Sequence, residues 1–366
     1  MKKKRILFFL WSFSLGGGAE KILSTIVNNL DLEKYEVDIF EVEHFDKGFE
    51  KVDDRINILK SWQCYRQSRL LRAFLWRIRK YFPNFVRRIL IEDKYDIEVS
   101  FTIINPPFPF SKRENVKKIS WIHGSIESFN ADINKMESHR KYLKNVSDII
   151  SVSEKTKESI IEVYPEYKDK VSVIYNGYDF DSIVEKSNEK TDIEIEKKSV
   201  CIVGRIENLK GSLEVYEIAK KLIKELKKDY HFYFMGSGEL ENELKEKVSN
   251  DNLETFIHFL GYQKNPYKYI KNMKLMLSMS KQEGFSGAIV EGMSLGVPFV
   301  STDVGGVKEL SCKEKYGKIV YNEDDAVNKI IDYLDGKVHI DIVDMKNYIS
   351  KFTVAEQMKN INDLIK

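Results

Sequence analysis

The chain alternates short apolar runs with longer stretches in which apolar positions recur every three or four residues. Several of the short runs are apolar throughout, which is typical of strands covered on both faces, and the longer stretches have helical spacing. The predicted strands are Ile6–Trp11, Tyr35–Val42, Ile97–Phe101, Lys118–Ile122, Ile149–Val152, Val171–Tyr175, Ser199–Val203, His231–Met235, Ile257–Phe259, Leu275–Met279 and Pro298–Thr302. Strands that alternate with helices in this way predict an α/β protein with parallel, doubly wound sheets.

The predicted strands fall into two sets, and 366 residues are enough for two domains. The clearest helical patterns are Ala19–Leu30, Glu154–Val163, Leu213–Leu226 and Ala288–Leu295. Asn176-Gly177 is a turn signal, and residues 181–198 are polar and acidic with little pattern. We therefore place one domain at residues 1–178 and a second at 179–351, followed by a terminal helix at 352–366.

Composition narrows the class of protein without identifying it. Hydrophobic residues make up 42% and charged residues 32%, as in soluble globular proteins, and the net charge of +2 gives no reason to expect nucleic-acid binding. The three cysteines are far apart and suggest neither disulfides nor a metal site, so we expect a reducing, cytoplasmic compartment. The basic N-terminus leads into an apolar run too short for a signal peptide, and we interpret that run as a first buried strand.

The segment Arg66–Phe82 contains no acidic residue. On a helical wheel one side of it is apolar and the other is basic. The apolar side carries Leu70, Leu71, Phe74, Leu75, Ile78, Tyr81 and Phe82, and the basic side carries Arg66, Arg69, Arg72, Arg77, Arg79 and Lys80. Such a helix, which Pro83 should end, suits an anionic membrane surface, but it would equally suit a helix that packs its apolar side on the core.

The strongest functional signal is the stretch from Ser280 to Pro298. A buried-type strand leads into a polar loop that carries Glu283, and an apolar helix with Glu291 follows. A helix that begins near Ser286 would open at the carboxyl edge of the sheet, where ligands bind in such folds. Its amide N–H groups could hold a diphosphate, which the small residues Gly284 and Gly287 would allow to approach. The two glutamates could bind ribose and sugar hydroxyls.

This frame, E-G-F-S-x-x-x-x-E-x-M-x-x-G-x-P, resembles the donor-site motif of the family 4 retaining glycosyltransferases. The resemblance implies the GT-B fold, in which two Rossmann-like doubly wound domains face a central cleft. It implies that Glu283 and Glu291 bind the donor together with Gly284, Phe285, Ser286 and Gly287. The likeness is strongest over residues 199–310. The chain departs from the family at Gly292, where alanine is usual, a change that a helix should tolerate at some cost.

The second domain opens with Gly204-Arg205 and, five residues later, Lys210-Gly211. In the resembling family this segment supplies an arginine and a lysine to the donor diphosphate. Arg205 and Lys210 would stabilise the charge that develops on a departing diphosphate, with Gly204 beside them.

Two segments of the first domain also match the family. Gly16-Gly17-Gly18 follows the first strand and opens a helix, although it lacks the third glycine of a dinucleotide fingerprint. The resemblance places this loop opposite the donor diphosphate and near the acceptor, with Gly16 and Gly17 as the candidates. It also implies that His123, at the end of another strand, lines the cleft near the donor sugar; a lone histidine can equally be structural.

The remaining motifs are weaker. Gly236-Ser237-Gly238 resembles the family's nucleotide-side loop but could be a plain turn, and the segment from Asp303 to Glu309 resembles the loop after the motif strand. Asp179-Phe180-Asp181 matches a D-x-D metal motif, yet no other carboxylate or histidine cluster supports a metal site. We therefore expect catalysis without a metal or a cofactor.

The sequence thus predicts a cytoplasmic, metal-independent retaining glycosyltransferase that uses a nucleoside-diphosphate sugar. UDP-hexose or UDP-N-acetylhexosamine is the expected donor, and a glycan or lipid-linked saccharide of the bacterial cell surface is the expected acceptor. Peripheral membrane contact through Arg66–Phe82 is a further expectation, and nucleic acid is not an expected partner. The alternatives are a GT-B sugar-nucleotide epimerase and a non-catalytic sugar-nucleotide-binding protein. An NAD-dependent dehydrogenase is disfavoured because the dinucleotide fingerprint is broken.

Overall fold

A computed structural model describes residues 2–45, 50–92, 94–102, 108–124, 126 and 133–366. The chain forms two compact units, one of Met1–Gly177 with Val354–Lys366 and the other of Tyr178–Thr353. Each unit is built on one parallel sheet with helices between its strands. The predicted α/β class, with two doubly wound domains, is confirmed.

Unit 1 contains a seven-stranded sheet of order β4-β2-β1-β6-β7-β8-β9 and a separate pair β3-β5. Its strands are β1 Lys4–Leu10, β2 Tyr35–Glu41, β3 Glu43–His44, β4 Asn57–Ile58, β5 Gln63–Cys64, β6 Ile97–Thr102, β7 Lys117–Ile122, β8 Asp148–Ser151 and β9 Val171–Val173. Its helices are α1 Gly18–Asn28, α2 Arg69–Tyr81, α3 Pro83–Leu90, α4 Ile133–Leu143, α5 Glu154–Val163 and, from the end of the chain, α14 Val354–Ile365.

Unit 2 contains a six-stranded sheet of order β12-β11-β10-β13-β14-β15. Its strands are β10 Ser199–Val203, β11 His231–Met235, β12 Ile257–Gly261, β13 Leu275–Ser278, β14 Phe299–Thr302 and β15 Gly317–Val320. Its helices are α6 Phe180–Ser187, α7 Ser212–Lys220, α8 Glu241–Asn250, α9 Tyr267–Ile270, α10 Gly287–Ser294, α11 Val307–Ser311, α12 Glu323–Leu334 and α13 Ile342–Ile349.

The apolar runs of the sequence form the centres of both sheets. In β1, residues Ile6–Leu10 are buried on both faces of the sheet, and Trp121 of β7 is also buried. Burial of each large apolar side chain contributes about 1.5–3 kcal/mol, so these continuous runs provide most of the drive to form the sheets. In unit 2, β11 is buried along its whole length for the same reason.

The strand order reverses at one point in each sheet. In unit 1 the strand β1 pairs with β2 on one side and β6 on the other, and in unit 2 the strand β10 pairs with β11 and β13. The loops that leave neighbouring strands at such a point diverge to opposite faces of the sheet, which opens a crevice at their carboxyl ends. Ligand sites are therefore expected after β1 and after β10 and β13.

Several details differ from the sequence predictions. The strand β15 was not predicted, and the helix expected over Leu213–Leu226 is α7 followed by a π-helical turn at Lys221–Glu225. In the described part of the chain, no helix is both long enough and apolar enough to span a bilayer.

The basic segment forms the helix α2, and a second helix, α3, follows it directly. Pro83 ends α2, as predicted, and also starts α3 at its first position. Two residues of the predicted basic side, Arg72 and Arg79, contact other parts of unit 1. Arg72 pairs with the buried Glu43, and the guanidinium of Arg79 lies 5.1 Å from the centre of the Trp11 ring. The core-packing alternative fails for most of the apolar side, because the structure buries no residue of α2.

Candidate active site

Lys210 and Glu283 meet at the point where the strand order of unit 2 reverses. Lys210 lies on the loop after β10, and Glu283 lies on the loop after the neighbouring strand β13. Lys210 Nζ donates to Glu283 Oε1 at 2.6 Å, and Ser280 Oγ donates to the same oxygen at 2.9 Å. Both side chains are half-buried, so this cation and carboxylate are held in one arrangement while they stay within reach of solvent.

Close backbone packing fixes the Lys210 loop against the Glu283 loop. Gly211 has φ +68°, and a Cβ atom there would lie 2.0 Å from the carbonyl oxygen of Met279. The amide of Lys281 donates to the carbonyl of Leu209 at 2.9 Å. Only glycine permits both this left-handed conformation and this approach, so Gly211 positions the lysine that precedes it.

Helix α10 begins directly after this loop. Its N-cap is the buried Ser286, and in the part of the chain that is described no side chain caps it. The first turn therefore presents backbone N–H groups and the positive end of the helix dipole at the carboxyl edge of the sheet. A Cβ atom on Gly287 would lie 3.1 Å from the hydroxyl of Tyr178, so a larger residue would crowd this turn.

Glu291 lies in the middle of α10 and is half-buried. The hydroxyl of Tyr267, the first residue of α9, donates to Glu291 Oε1 at 2.9 Å. Tyr267 is itself buried, so this hydrogen bond fixes the carboxylate in one orientation. Tyr267 could not be identified from the sequence, because its partner is distant in the chain and the two meet only through the packing of α9 on α10.

Gly284 and Phe285, which follow Glu283, are buried and hold the loop in place. Phe285 is buried, with its ring 5.1 Å from that of Phe352. The carbonyl of the buried Gly284 accepts from the amide of Gly306 at 3.1 Å. A Cβ atom on Gly305 would lie 2.7 Å from the carbonyl oxygen of Glu283, so the Asp303–Gly306 loop supports the Glu283 loop from behind.

Gly292 has a compensating partner that the sequence did not reveal. A Cβ atom at this position would lie 1.9 Å from Sδ of Met276 in β13. The methionine side chain thus fills the space that the usual alanine methyl group would need.

Gly236-Ser237-Gly238 is more than a plain turn. Gly236 has φ +151°, and a Cβ atom there would lie 1.9 Å from the carbonyl oxygen of Gly204. The amide of Ile206 donates to the carbonyl of Ser237 at 3.1 Å. The glycines let this loop pack backbone to backbone on the segment that carries Gly204 and Arg205.

Arg205 stands apart from the Lys210–Glu283 pair. Its guanidinium lies 3.0 Å from Glu207 Oε2, and 72% of its side chain is exposed. The structure thus places Arg205 on the same loop as Lys210 with a different carboxylate as its partner. A long exposed arginine can change rotamer, because the cost of breaking an exposed ion pair is typically below about 1 kcal/mol.

The glycine loop of unit 1 follows β1 at the other reversal point. Gly16 has φ +73° and is exposed, and Gly17 is the N-cap of α1. A buried carboxylate anchors the preceding residues: Glu41 Oε2 accepts from the amides of Phe13 and Ser14 at 2.8 and 2.9 Å. Glu41 is the last residue of the neighbouring strand β2. The sequence analysis did not identify Glu41, because its partners lie in the loop after β1.

His123 follows β7 and lies against aromatic rings. Its ring centre is 4.4 Å from that of Phe101, and its Nε2 atom is buried without a hydrogen-bond partner among the described residues. This desolvation lowers the pKa of His123 to about 3, so the imidazole is neutral at physiological pH. His123 can therefore donate or accept a hydrogen bond there, but it does not supply a positive charge.

In the D-x-D motif Asp179–Asp181, the first aspartate caps a helix. The carboxylate of Asp179 accepts from the amide of Ser182 at 2.9 Å and caps α6. Within the described ranges, no group of three or more histidine, cysteine or acidic side chains is arranged to hold a metal ion.

Comparison with known proteins identifies the family. Residues 184–366 match the family described as glycosyl transferases group 1, and residues 16–182 match glycosyltransferase family 4. An uncharacterized glycosyltransferase of Methanocaldococcus jannaschii is 29% identical over 252 residues, which cover 65% of this chain and 61% of that protein. The chain thus spans less than two thirds of this relative's length.

Two further likenesses extend over more of the chain. A Campylobacter jejuni α-1,4-N-acetyl-D-galactosaminyltransferase, named for its acceptor GalNAc-α-(1→4)-GalNAc-α-(1→3)-diNAcBac-PP-undecaprenol, is 25% identical over 329 residues, or 85% of this chain and 83% of that protein. The crystal structure of Anabaena HepE in complex with UDP superposes with a TM-score of 0.70 at 15% identity and covers 99% of both chains. This chain belongs to the family 4 glycosyltransferases, also described as the glycosyl transferases of group 1, and has the GT-B fold.

Proposed function

We propose that the protein transfers a sugar from a nucleoside-diphosphate sugar to a hydroxyl group of a glycan or lipid-linked acceptor, with retention of anomeric configuration. The observation that carries this proposal is the Lys210–Glu283 pair at the strand-order reversal of unit 2, next to the start of α10. A cation, a carboxylate and open amide groups at one sheet edge match the charges and hydroxyls of such a donor.

The donor is UDP-hexose or UDP-N-acetylhexosamine in this proposal. Glu291 accepts hydrogen bonds from the ribose diol, and Tyr267 holds its carboxylate in place. The backbone from Gly284 to Gly287 contacts the diphosphate, and Glu283 binds hydroxyls of the donor sugar. The UDP bound to Anabaena HepE supports a uridine nucleotide in the donor. The lipid-linked saccharide named for the Campylobacter enzyme supports a lipid-linked acceptor.

The reaction follows from these positions. The bond between the anomeric carbon and the diphosphate oxygen breaks, and the acceptor oxygen bonds to the same face of that carbon. The acceptor proton passes to the departing diphosphate, so the products are the glycosylated acceptor and the nucleoside diphosphate. Lys210 and Arg205 stabilise the charge that develops on the diphosphate, which makes a metal ion unnecessary. Gly16 and Gly17 act on the acceptor side, and the family resemblance assigns the neutral His123 to the donor sugar.

The place of action in this proposal is the cytoplasmic face of a bacterial membrane, in the synthesis of a surface polysaccharide. The chain is then a peripheral membrane protein, and the basic segment Arg66–Phe82 provides the contact. The exposed apolar side chains of α2 support this placement.

A donor and acceptor screen tests the proposal. Thermal stability is measured with a panel of nucleotide sugars, because a ligand at one hundred times its Kd stabilises by about 2.7 kcal/mol. The stabilising donor is then incubated with undecaprenyl-diphosphate-linked saccharides, and the anomeric configuration of the product is read by NMR. An inverted product would exclude retention, conversion of the donor without acceptor would favour an epimerase, and binding without turnover would favour a non-catalytic protein.

A further inference from the structure

The chain passes between its two units at two places, and inside unit 2 these places are fastened to each other. Unit 2 begins at Tyr178 and ends at Thr353. These two residues form an isolated parallel bridge, and the amide of Tyr178 donates to the carbonyl of Phe352 at 2.9 Å. Tyr178 and Phe352, here called the crossover pair, are both buried. The backbone at the two ends of unit 2 is therefore one hydrogen-bonded element.

Phe352 packs its ring on the loop that carries Glu283. The centres of the Phe352 and Phe285 rings are 5.1 Å apart, and the rings meet edge to face at 62°. Only 1% of Phe352 and 8% of Phe285 are exposed, so water does not separate the two rings. Such a pair is favourable beyond the area that it buries, and it fixes the side chain in the middle of the loop.

Tyr178 packs on the first turn of α10, directly after that loop. A Cβ atom on Gly287, the first residue of α10, would lie 3.1 Å from the hydroxyl oxygen of Tyr178 and 3.4 Å from its ring carbon Cε1. The Tyr178 ring also stacks on that of Phe180, with the ring centres 6.4 Å apart. The phenol is thus held on Phe180 and limits the positions that are open to the first turn of α10.

The crossover pair therefore contacts both ends of the segment from Phe285 to Gly287. Ser286, in the middle of this segment, is the N-cap of α10. A helix start binds an anion well only when its amide N–H groups converge on one point. The direction of these groups depends on the backbone on both sides of Ser286, which Phe352 holds through Phe285 and Tyr178 holds through Gly287.

We propose that Tyr178 and Phe352 are positioning residues of the donor site. They act through Phe285 and Gly287, which they hold so that the amides at the start of α10 face the diphosphate. This inference depends on the proposed function for the place of the diphosphate. When a contact of the pair is lost, the segment spends part of its time in conformations that do not bind, and the apparent affinity for the nucleotide falls by that fraction. Coupling between two sites is reciprocal, so nucleotide binding in turn stabilises the crossover pair.

Calorimetric titration of the full chain with UDP tests the affinity. Phe352→Leu and Tyr178→Leu should each raise the Kd about three- to tenfold, because an aromatic contact of this kind contributes roughly that factor. The conservative Tyr178→Phe keeps the ring and should bind UDP within about twofold of wild type. The matched control is Phe256→Leu, which removes a ring 5.3 Å from that of His231, just before β12 at the amino edge of the sheet. It should lower Tm as the other leucine variants do and leave the Kd for UDP within about twofold of wild type.

Hydrogen exchange tests the reciprocal effect. The amide of Tyr178 is bonded to the carbonyl of Phe352, so its exchange reports the opening of the crossover pair. UDP should slow the exchange of the peptide that contains Tyr178 at least about threefold in wild type, and less in Phe352→Leu when both proteins are saturated. A purely structural role would lower Tm without linking this exchange to UDP.

The inference fails if the leucine variants of the crossover pair bind UDP as tightly as wild type, or if Phe256→Leu weakens binding as much as they do. It also fails if UDP leaves the exchange at Tyr178 unchanged. When wild type binds UDP in these experiments, such results remove only the role of the crossover pair and leave the proposed function untouched. Wild-type protein that binds neither UDP nor any nucleotide sugar contradicts the proposed function, and the inference then falls with it.

Discussion

Replacing Lys210 by alanine separates a catalytic role from a structural one. Lys210 Nζ lies 2.6 Å from Glu283 Oε1, and 28% and 17% of the two side chains are exposed. Two unit charges about 4 Å apart attract by roughly 4 kcal/mol at an effective dielectric constant of ~20. Desolvation of both groups offsets much of this attraction, so the pair should stabilise the fold by only about 1 kcal/mol.

The expected catalytic effect is larger. Removing one preorganised group that stabilises developing negative charge typically lowers kcat by about 10²–10³, or roughly 2.7–4 kcal/mol. A loss of about 1 kcal/mol in stability lowers the Tm of a domain the size of unit 2 by roughly 2–4 °C. Lys210→Ala should therefore remain folded at 25 °C, with a strongly reduced kcat and a Kd for UDP changed less than about tenfold.

The matched control is Lys281→Ala. Lys281 lies on the same loop as Glu283, but its ammonium group is 2.7 Å from Glu214 Oε1. The kcat of this variant should stay within about threefold of wild type. The assay is initial-rate transfer at saturating donor, together with calorimetric titration of UDP and a thermal melt. Equal losses of kcat in both variants, or an unchanged kcat in Lys210→Ala, would refute the assignment of Lys210 to the diphosphate.

Other substitutions test three separate parts of the structure. Glu291→Ala should weaken UDP binding about 100-fold in calorimetry, because two hydrogen bonds to the ribose are lost. Tyr267→Phe should weaken it about three- to tenfold, because only the bond that orients Glu291 is lost. Both variants should change kcat little, and a selective loss of kcat would contradict this role. Gly292→Ala should lower Tm, because overpacking against Met276 costs about 1–3 kcal/mol and the gain in helix propensity is only near 1 kcal/mol. Adding Met276→Val to this variant should restore Tm. Additive Tm changes of the two substitutions would exclude the contact between residues 276 and 292. The pKa of His123 in the folded state, about 3, lies below the unfolded value near 6.5, so its contribution to stability is complete above pH 6.5 and is lost as pH falls toward 3. His123→Asn should reduce the dependence of Tm on pH between 4 and 6.5, and parallel Tm curves for the two proteins would show that burial does not perturb this group.

Local physics was enough to predict the architecture and the main motif. Continuous apolar runs such as Ile6–Leu10 can be satisfied only inside a sheet covered on both faces, so their order along the chain fixes the α/β class. The loop with Glu283, followed by a helix with Glu291, is contiguous in sequence, and its residue types already express its chemistry. These features depend on neighbours a few residues apart, which is why they can be read without a structure.

Contacts between distant segments were decided only by the tertiary structure. Lys210 meets Glu283 because β10 and β13 are neighbours in the sheet, although 73 residues separate the two side chains. Tyr267 reaches Glu291 through the packing of α9 on α10, and Met276 fills the space beside Gly292 across a strand and a helix. A periodic pattern shows that a residue lies on one side of an element, but it does not identify what occupies that side.

The basic helix shows the same limit most clearly. Its sequence determined that α2 would be amphipathic, since apolar and cationic residues recur with helical spacing. Which side would face the body was determined by specific partners: Glu43 binds Arg72, and Trp11 stacks against Arg79. These contacts turn two cations toward unit 1, while Leu70, Phe74 and Tyr81 stay in solvent. Glu43 and Trp11 are distant from α2 in the sequence, so only the fold brings them to it.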